Sequence, residues 1–76
     1  MQDLVAHIAK SLVDNPDAVV VTTSEEDDTV TIGLAVAKED IGKVIGKQGR
    51  TARAMRSLLA VRAGKENRRS RLDILE

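Results

Sequence analysis

Between two stretches of helical periodicity the chain reads Ile45-Gly46-Lys47-Gln48-Gly49-Arg50. Two glycines three apart suit a turn that needs positive φ, or a backbone that another molecule must approach closely. Lys43, Lys47, Arg50 and Arg53 surround that turn with positive charge, so the approaching molecule should be anionic. Arg50 and Arg53 share one face of the following helix, whose first turn offers amide donors and a positive dipole end to phosphate. Spacing excludes two familiar phosphate loops. A Walker A loop needs a glycine where Ile41 stands, and a Ser or Thr where Gln48 follows Lys47. A dinucleotide fingerprint needs a glycine at Val44, after a strand rather than a helix.

No other constellation competes. His7, the single histidine, has no metal-ligand pattern beside it and reads as a residue of the first helix. The acidic run Glu25 to Asp28 lacks the spacing and the glycine of a calcium loop and reads as a solvated turn. Met55 reads as core filling. With no cysteine and no histidine-acid-nucleophile set, no catalytic apparatus, metal or cofactor is implied, and the chain is not expected to be an enzyme. The absence of Phe, Trp and Tyr excludes modules that stack bases on aromatic rings.

The formal net charge of zero conceals a division. Up to Asp40, two lysines (Lys10 and Lys38) face nine acids, a balance of −7. From Ile41 to Arg71, ten bases face the lone Glu66, a balance of +9. Such asymmetry points to a polyanionic partner for the second half. At 76 residues there is room for one small domain, of marginal stability alone. No apolar run approaches the roughly 20 residues of a membrane helix, and the early Asp3 is unlike a signal peptide. A cytoplasmic protein without membrane insertion is expected.

The elements that must position the turn follow from periodicity. Leu4, Val5, Ile8, Ala9 and Leu12 recur at helical spacing behind Asp3 as N-cap, and Asn15-Pro16 ends that helix. Ala18 to Thr23 is a β-branched strand, Ser24 to Asp28 a turn, and Val30, Ile32, Leu34 and Val36 alternate as a second strand with one buried face. The short connection makes this pair antiparallel. Glu39 and Asp40 favour the start of a short helix through Ile45. Thr51 to Ala63 is the longest helix, with Ala52, Met55 and Leu59 on one face and Gly64 as its stop. A polar loop from Lys65 to Arg68 leads to a last strand containing Leu72 and Ile74.

The run Asp40-Ile41-Gly42-Lys43-Val44-Ile45-Gly46-Lys47-Gln48-Gly49-Arg50, set between two helices, resembles the heart of a KH domain, with its GXXG loop at 46–49. In length and element order the whole chain resembles the small bacterial single-domain KH proteins of the KhpA family. That resemblance implies an α+β, type II KH domain over 1–76, in the order α-β-β-α-α-β, with a three-stranded sheet carrying its helices on one face. It implies single-stranded RNA as ligand. Gly46, Lys47, Gln48 and Gly49 would clamp the backbone of about four nucleotides, with Lys43, Arg50 and Arg53 as electrostatic support. The bases would lie in an apolar groove lined by Ile41, Val44, Ile45, Ala52 and part of the adjacent strand. One departure is Ala52, where many KH domains carry a larger aliphatic residue.

The resemblance further implies an RNA-chaperone or post-transcriptional role, with a KhpB-like KH protein as partner, in cell-envelope and cell-shape control. The rival class is a protein-interaction module whose KH surface mainly forms a homo- or heterodimer. Leu58 and Val61, on a second side of the long helix, are the candidate partner surface, provided the first helix does not cover them.

Overall fold

In the computed structural model, which describes residues 1–75, the apolar alternation of the second strand is the centre of the molecule. Helix α1 spans Gln2–Leu12, strand β1 Val20–Glu26 and strand β2 Thr29–Ala35. They are followed by α2 at Ile41–Ile45, α3 at Arg50–Lys65 and β3 at Arg69–Leu75. Single 3₁₀ turns at Pro16–Ala18, Lys38–Asp40 and Lys47–Gly49 join them. The order is α-β-β-α-α-β, with a mixed sheet. Strand β2 lies in the middle, antiparallel to β1 and parallel to β3. Parallel neighbours need a long crossover, and the α2–α3 segment supplies it.

Side chains alternate across a strand, so Val30, Ile32 and Leu34 of β2 point to one face and are all buried. In register beside them are Val21 of β1 and Leu72 and Ile74 of β3. Against this face α1 buries Val5 and Ala9, and α3 buries Ala52, Met55, Leu59 and Ala63. Val44 of α2 completes the core. Small residues at both ends of the α3 stripe let the helix lie close to the sheet.

Several boundaries differ from the sequence expectation, each for a local reason. Helix α1 is capped by Met1, so Asp3 sits in the first turn instead of at the N-cap. Ala18 belongs to the 3₁₀ turn that Pro16 opens, and β1 starts at Val20. The acidic stretch extends β1 through Glu26, because its ladder to β2 continues to Glu26↔Thr29. The turn shrinks to Asp27 and Asp28, with Asp27 at φ 54. Gly64 does not stop α3. Asn67 takes the left-handed conformation at φ 57. The Arg68 N–H donates to the Ala63 carbonyl at 2.8 Å, and the Asn67 N–H to the Gly64 carbonyl at 3.1 Å. This is a Schellman end with asparagine in the usual glycine position.

Candidate nucleic-acid interface

The turn between α2 and α3 is built by its glycines. Gly46 has φ 79 and ψ 172, a region that only glycine enters freely. A Cβ there would sit 2.7 Å from the Thr51 Cβ and 2.8 Å from the Thr51 backbone nitrogen, so no side chain fits. Gly49 is left-handed, with φ 74 and ψ 12, and open space where a Cβ would stand. Between them Gln48 is also left-handed at φ 58, which costs a residue that carries a Cβ. The Gly46 N–H donates to the Gly42 carbonyl and the Gly49 N–H to the Gly46 carbonyl. These bonds fold the four residues into a narrow projection with Lys47 and Gln48 exposed at its tip.

The cations divide into two groups. Lys47, Arg50 and Arg53 are exposed, and among the described residues none has an ion-pair partner. The Arg50 Nη2 donates to the Gln48 Oε1 at 3.2 Å, linking α3 to the loop tip. Lys43 is differently placed. Its ammonium pairs with Asp14 and lies 3.6 Å from Asp40. The Asp14 hydrogen bond is the main reason its pKa is raised, with both carboxylates adding to the effect against partial burial.

Asp40 is the buried acid behind the site, with no exposed surface. Its carboxylate accepts from the backbone N–H groups of Asp14 at 3.2 Å and Asn15 at 3.0 Å, and from the Asn15 Nδ2 at 3.0 Å. Burial alone would push its pKa up. The Asn15 amide, the two backbone N–H groups and Lys43 outweigh that and hold it below the usual aspartate range. Asp40 stands at the N-cap of α2, but its side chain makes no capping hydrogen bond; it ties α2 to the α1–β1 connection. No sequence signal marks this tie, since its partners stand 25 and 26 positions away.

The residues read as an apolar groove separate by depth. Val44 has no exposed surface and Ala52 is 3% exposed, so both support the groove from beneath and present no lining. Ile41 and Ile45 are half-buried and remain available at the surface. Arg56, which sequence reasoning passed over, lies on the β3 side of α3. Its Nη2 donates to the Leu72 carbonyl at 3.3 Å, and it borders a shallow pocket with Ser70 and Arg71. Leu58 and Val61 are 49% and 63% exposed. Helix α1 does not cover them; its Leu4 instead joins them in lining an open groove with Arg62 and Lys65. Among the described residues, no three His, Asp or Glu side chains come together as a metal site.

Residues 2–74 match the family model described as KhpA/KhpB, KH domain. The chain belongs to that family. Among curated relatives it is 47% identical over 76 residues to the RNA-binding protein KhpA of Listeria monocytogenes serovar 1/2a, covering all of both chains. It is 51% identical, again over the whole of both, to the RNA-binding protein KhpA of Halalkalibacterium halodurans. With the protein of that name from Caldanaerobacter subterraneus subsp. tengcongensis it shares 52% over 75 residues, 99% of this chain and 100% of the relative. The KhpA/KhpB match spans all six helices and strands, not the glycine turn alone.

Proposed function

We propose that this chain binds single-stranded RNA, with the Gly46–Gly49 turn clamping the sugar-phosphate backbone. The observation that carries the reading is Gly46. It adopts a conformation closed to other residues and brings bare backbone to the surface beside Lys47, Arg50 and Arg53, three cations with no ion-pair partner among the described residues. Phosphates would meet the loop and the first turn of α3, where charge and helix dipole act together. Ile41 and Ile45 would offer the apolar edge to bases, with Val44 and Ala52 holding them from below. Lys43 contributes less than the other cations, because Asp14 and Asp40 already neutralise it. The relatives' name, RNA-binding protein KhpA, supports the ligand class.

As the wider role we propose an RNA chaperone or post-transcriptional regulator, acting with a KhpB-like KH protein in cell-envelope and cell-shape control. The exposed Leu58 and Val61 favour a second activity, pairing through α3 with another copy or with that partner. One clamp is weak, and pairing raises avidity through effective concentration. The test is titration of a fluorescent single-stranded RNA at two salt concentrations beside a sizing run. Affinity should fall as salt rises, because phosphate contacts release counterions. A dimer that binds no RNA at either salt would leave the interaction module as the function.

A further inference from the structure

Lys43 is the cation of the site that is already paired, and its two carboxylates hold it on different terms. Asp40 is buried and occupied elsewhere. Its Oδ1 accepts from the Asp14 N–H, and its Oδ2 from the Asn15 N–H and the Asn15 side-chain amide. At 3.6 Å it is too far from the ammonium for a hydrogen bond. Asp14 is the hydrogen-bonded partner. Its side chain is 76% exposed, and among the described residues Lys43 is its single ion-pair partner. An exposed pair of this kind adds little to stability and is readily exchanged.

The same contacts decide where the ammonium is held. Ile41 and Ile45, four apart, share one side of α2, and Lys43 leaves the other side, toward the α1–β1 connection. Asp40 keeps that connection in place by holding the Asp14 and Asn15 N–H groups to α2. The Asp14 carboxylate is therefore anchored over the flank of α2, whereas the lysine stem is flexible. Lys43 also stands three residues before Gly46, about 4.5 Å along the helix axis. Once released, its side chain is within reach of a phosphate at the turn.

We propose that Asp14 is an intramolecular latch on the clamp: its carboxylate occupies Lys43 and draws it to the far side of α2, and RNA phosphate must displace that carboxylate to recruit the lysine. The latch rests on the RNA reading of the glycine turn and adds a restraint on that same site. In the latched chain Lys47, Arg50 and Arg53 face phosphate, and a fourth cation is withheld. Displacement leaves Asp14 in the water that it already largely faces, so the exchange requires no rearrangement of the fold. The clamp then works below its full electrostatic strength, at a level set by a residue of the α1–β1 connection.

The experiment is titration of a labelled single-stranded RNA with the full chain, Asp14→Asn, Lys43→Ala, the double variant and Asp17→Asn, each at two salt concentrations. Asparagine keeps the size of Asp14 and the backbone N–H that Asp40 holds, so circular dichroism and Tm should stay close to those of the unaltered chain. Asp14→Asn should bind RNA about two- to fivefold tighter, the range of an exposed ion pair. Its log–log salt dependence should steepen by about 0.7, the value of one more phosphate contact on a single strand. In the Lys43→Ala background the same change should bring no gain, because there is no lysine to release. Asp17→Asn removes a carboxylate from the same connection that, among the described residues, pairs with no cation. It should give neither the gain nor the steeper slope. The latch is overturned if folded Asp14→Asn binds no tighter than the unaltered chain, if the gain survives in the Lys43→Ala background, or if Asp17→Asn equals it. Absence of binding in the unaltered chain and in Asp14→Asn alike overturns the RNA reading itself, and the latch falls with it.

Discussion

Asp40 shows how one side chain can fix the position of a site it does not enter. Its fully buried carboxylate receives three N–H groups from Asp14 and Asn15 and lies beside Lys43, so α2 is tied to the α1–β1 connection. Because its pKa is depressed in the folded chain, its stabilisation is complete above the ordinary aspartate value of about 3.9. It is lost as pH falls through the lower, folded value. Glu25, depressed by its hydrogen bond and ion pair with Arg68, acts in the same direction. Thermal melts should therefore show Tm falling below about pH 4, with a smaller acid-dependent loss in Asp40→Asn, which should already melt lower at pH 7. An unchanged acid limb in that variant would remove Asp40 from this role. The two loop glycines should also differ. Gly46→Ala meets Thr51 and a glycine-only conformation, and should destabilise by at least about 1–3 kcal/mol. Gly49→Ala carries only the left-handed penalty and should cost less, as denaturant unfolding would report.

At the scale of elements, the turn and α3 act together. Arg50 and Arg53 are exposed on the first turns of α3, close after the loop, and are free to meet phosphate. Neutralising either should weaken binding to different RNA sequences about equally and reduce the salt slope by about one. A selective change in base preference at constant slope would show a base contact instead. Much of this element scale was legible in the sequence. Alternation through Val30, Ile32 and Leu34 and the Ala52, Met55, Leu59 stripe are periodic signals, and these residues are buried as read, while Val36, the last of the alternating set, lies past the end of β2 and is half-buried. What was not legible depends on contacts across the chain. Gly64 is where the sequence points for the end of α3, but asparagine also tolerates positive φ, and Asn67 makes the cap three residues later. Asp40 looked like a dipole-favouring residue at a helix start; its actual partners come from a distant connection. Val44 sits beside Lys43 and Ile45 in sequence, yet points inward, and a five-residue helix carries too little periodicity to say so.

For the molecule as a whole, the charge division becomes spatial. The acidic half supplies α1, β1 and the β1–β2 turn, and the basic half supplies the loop, α3 and β3. Some of that charge is spent internally, where Arg68 pairs with Glu25 at 2.8 Å and Lys43 with Asp14. The cations at the loop and the start of α3 are not. The long helix thus offers cations at its start and apolar Leu58 and Val61 farther along, so the proposed RNA contact and the proposed partner contact fall on separate stretches of it. Val61→Glu should leave the fold intact, since exposed changes usually shift stability by only about ±0.5 kcal/mol. It should reduce self-association or binding to a KhpB-like partner in a sizing experiment. A folded variant with both unchanged would exclude that surface. The central claim, that RNA is held at the glycine turn, is tested most directly by Lys47→Asp/Gln48→Asp. Both side chains are exposed, so circular dichroism and Tm should be close to those of the unaltered chain. Titration with labelled single-stranded RNA should show binding lost, because two carboxylates would occupy the place of phosphate. A folded double variant with unchanged RNA affinity would contradict the account.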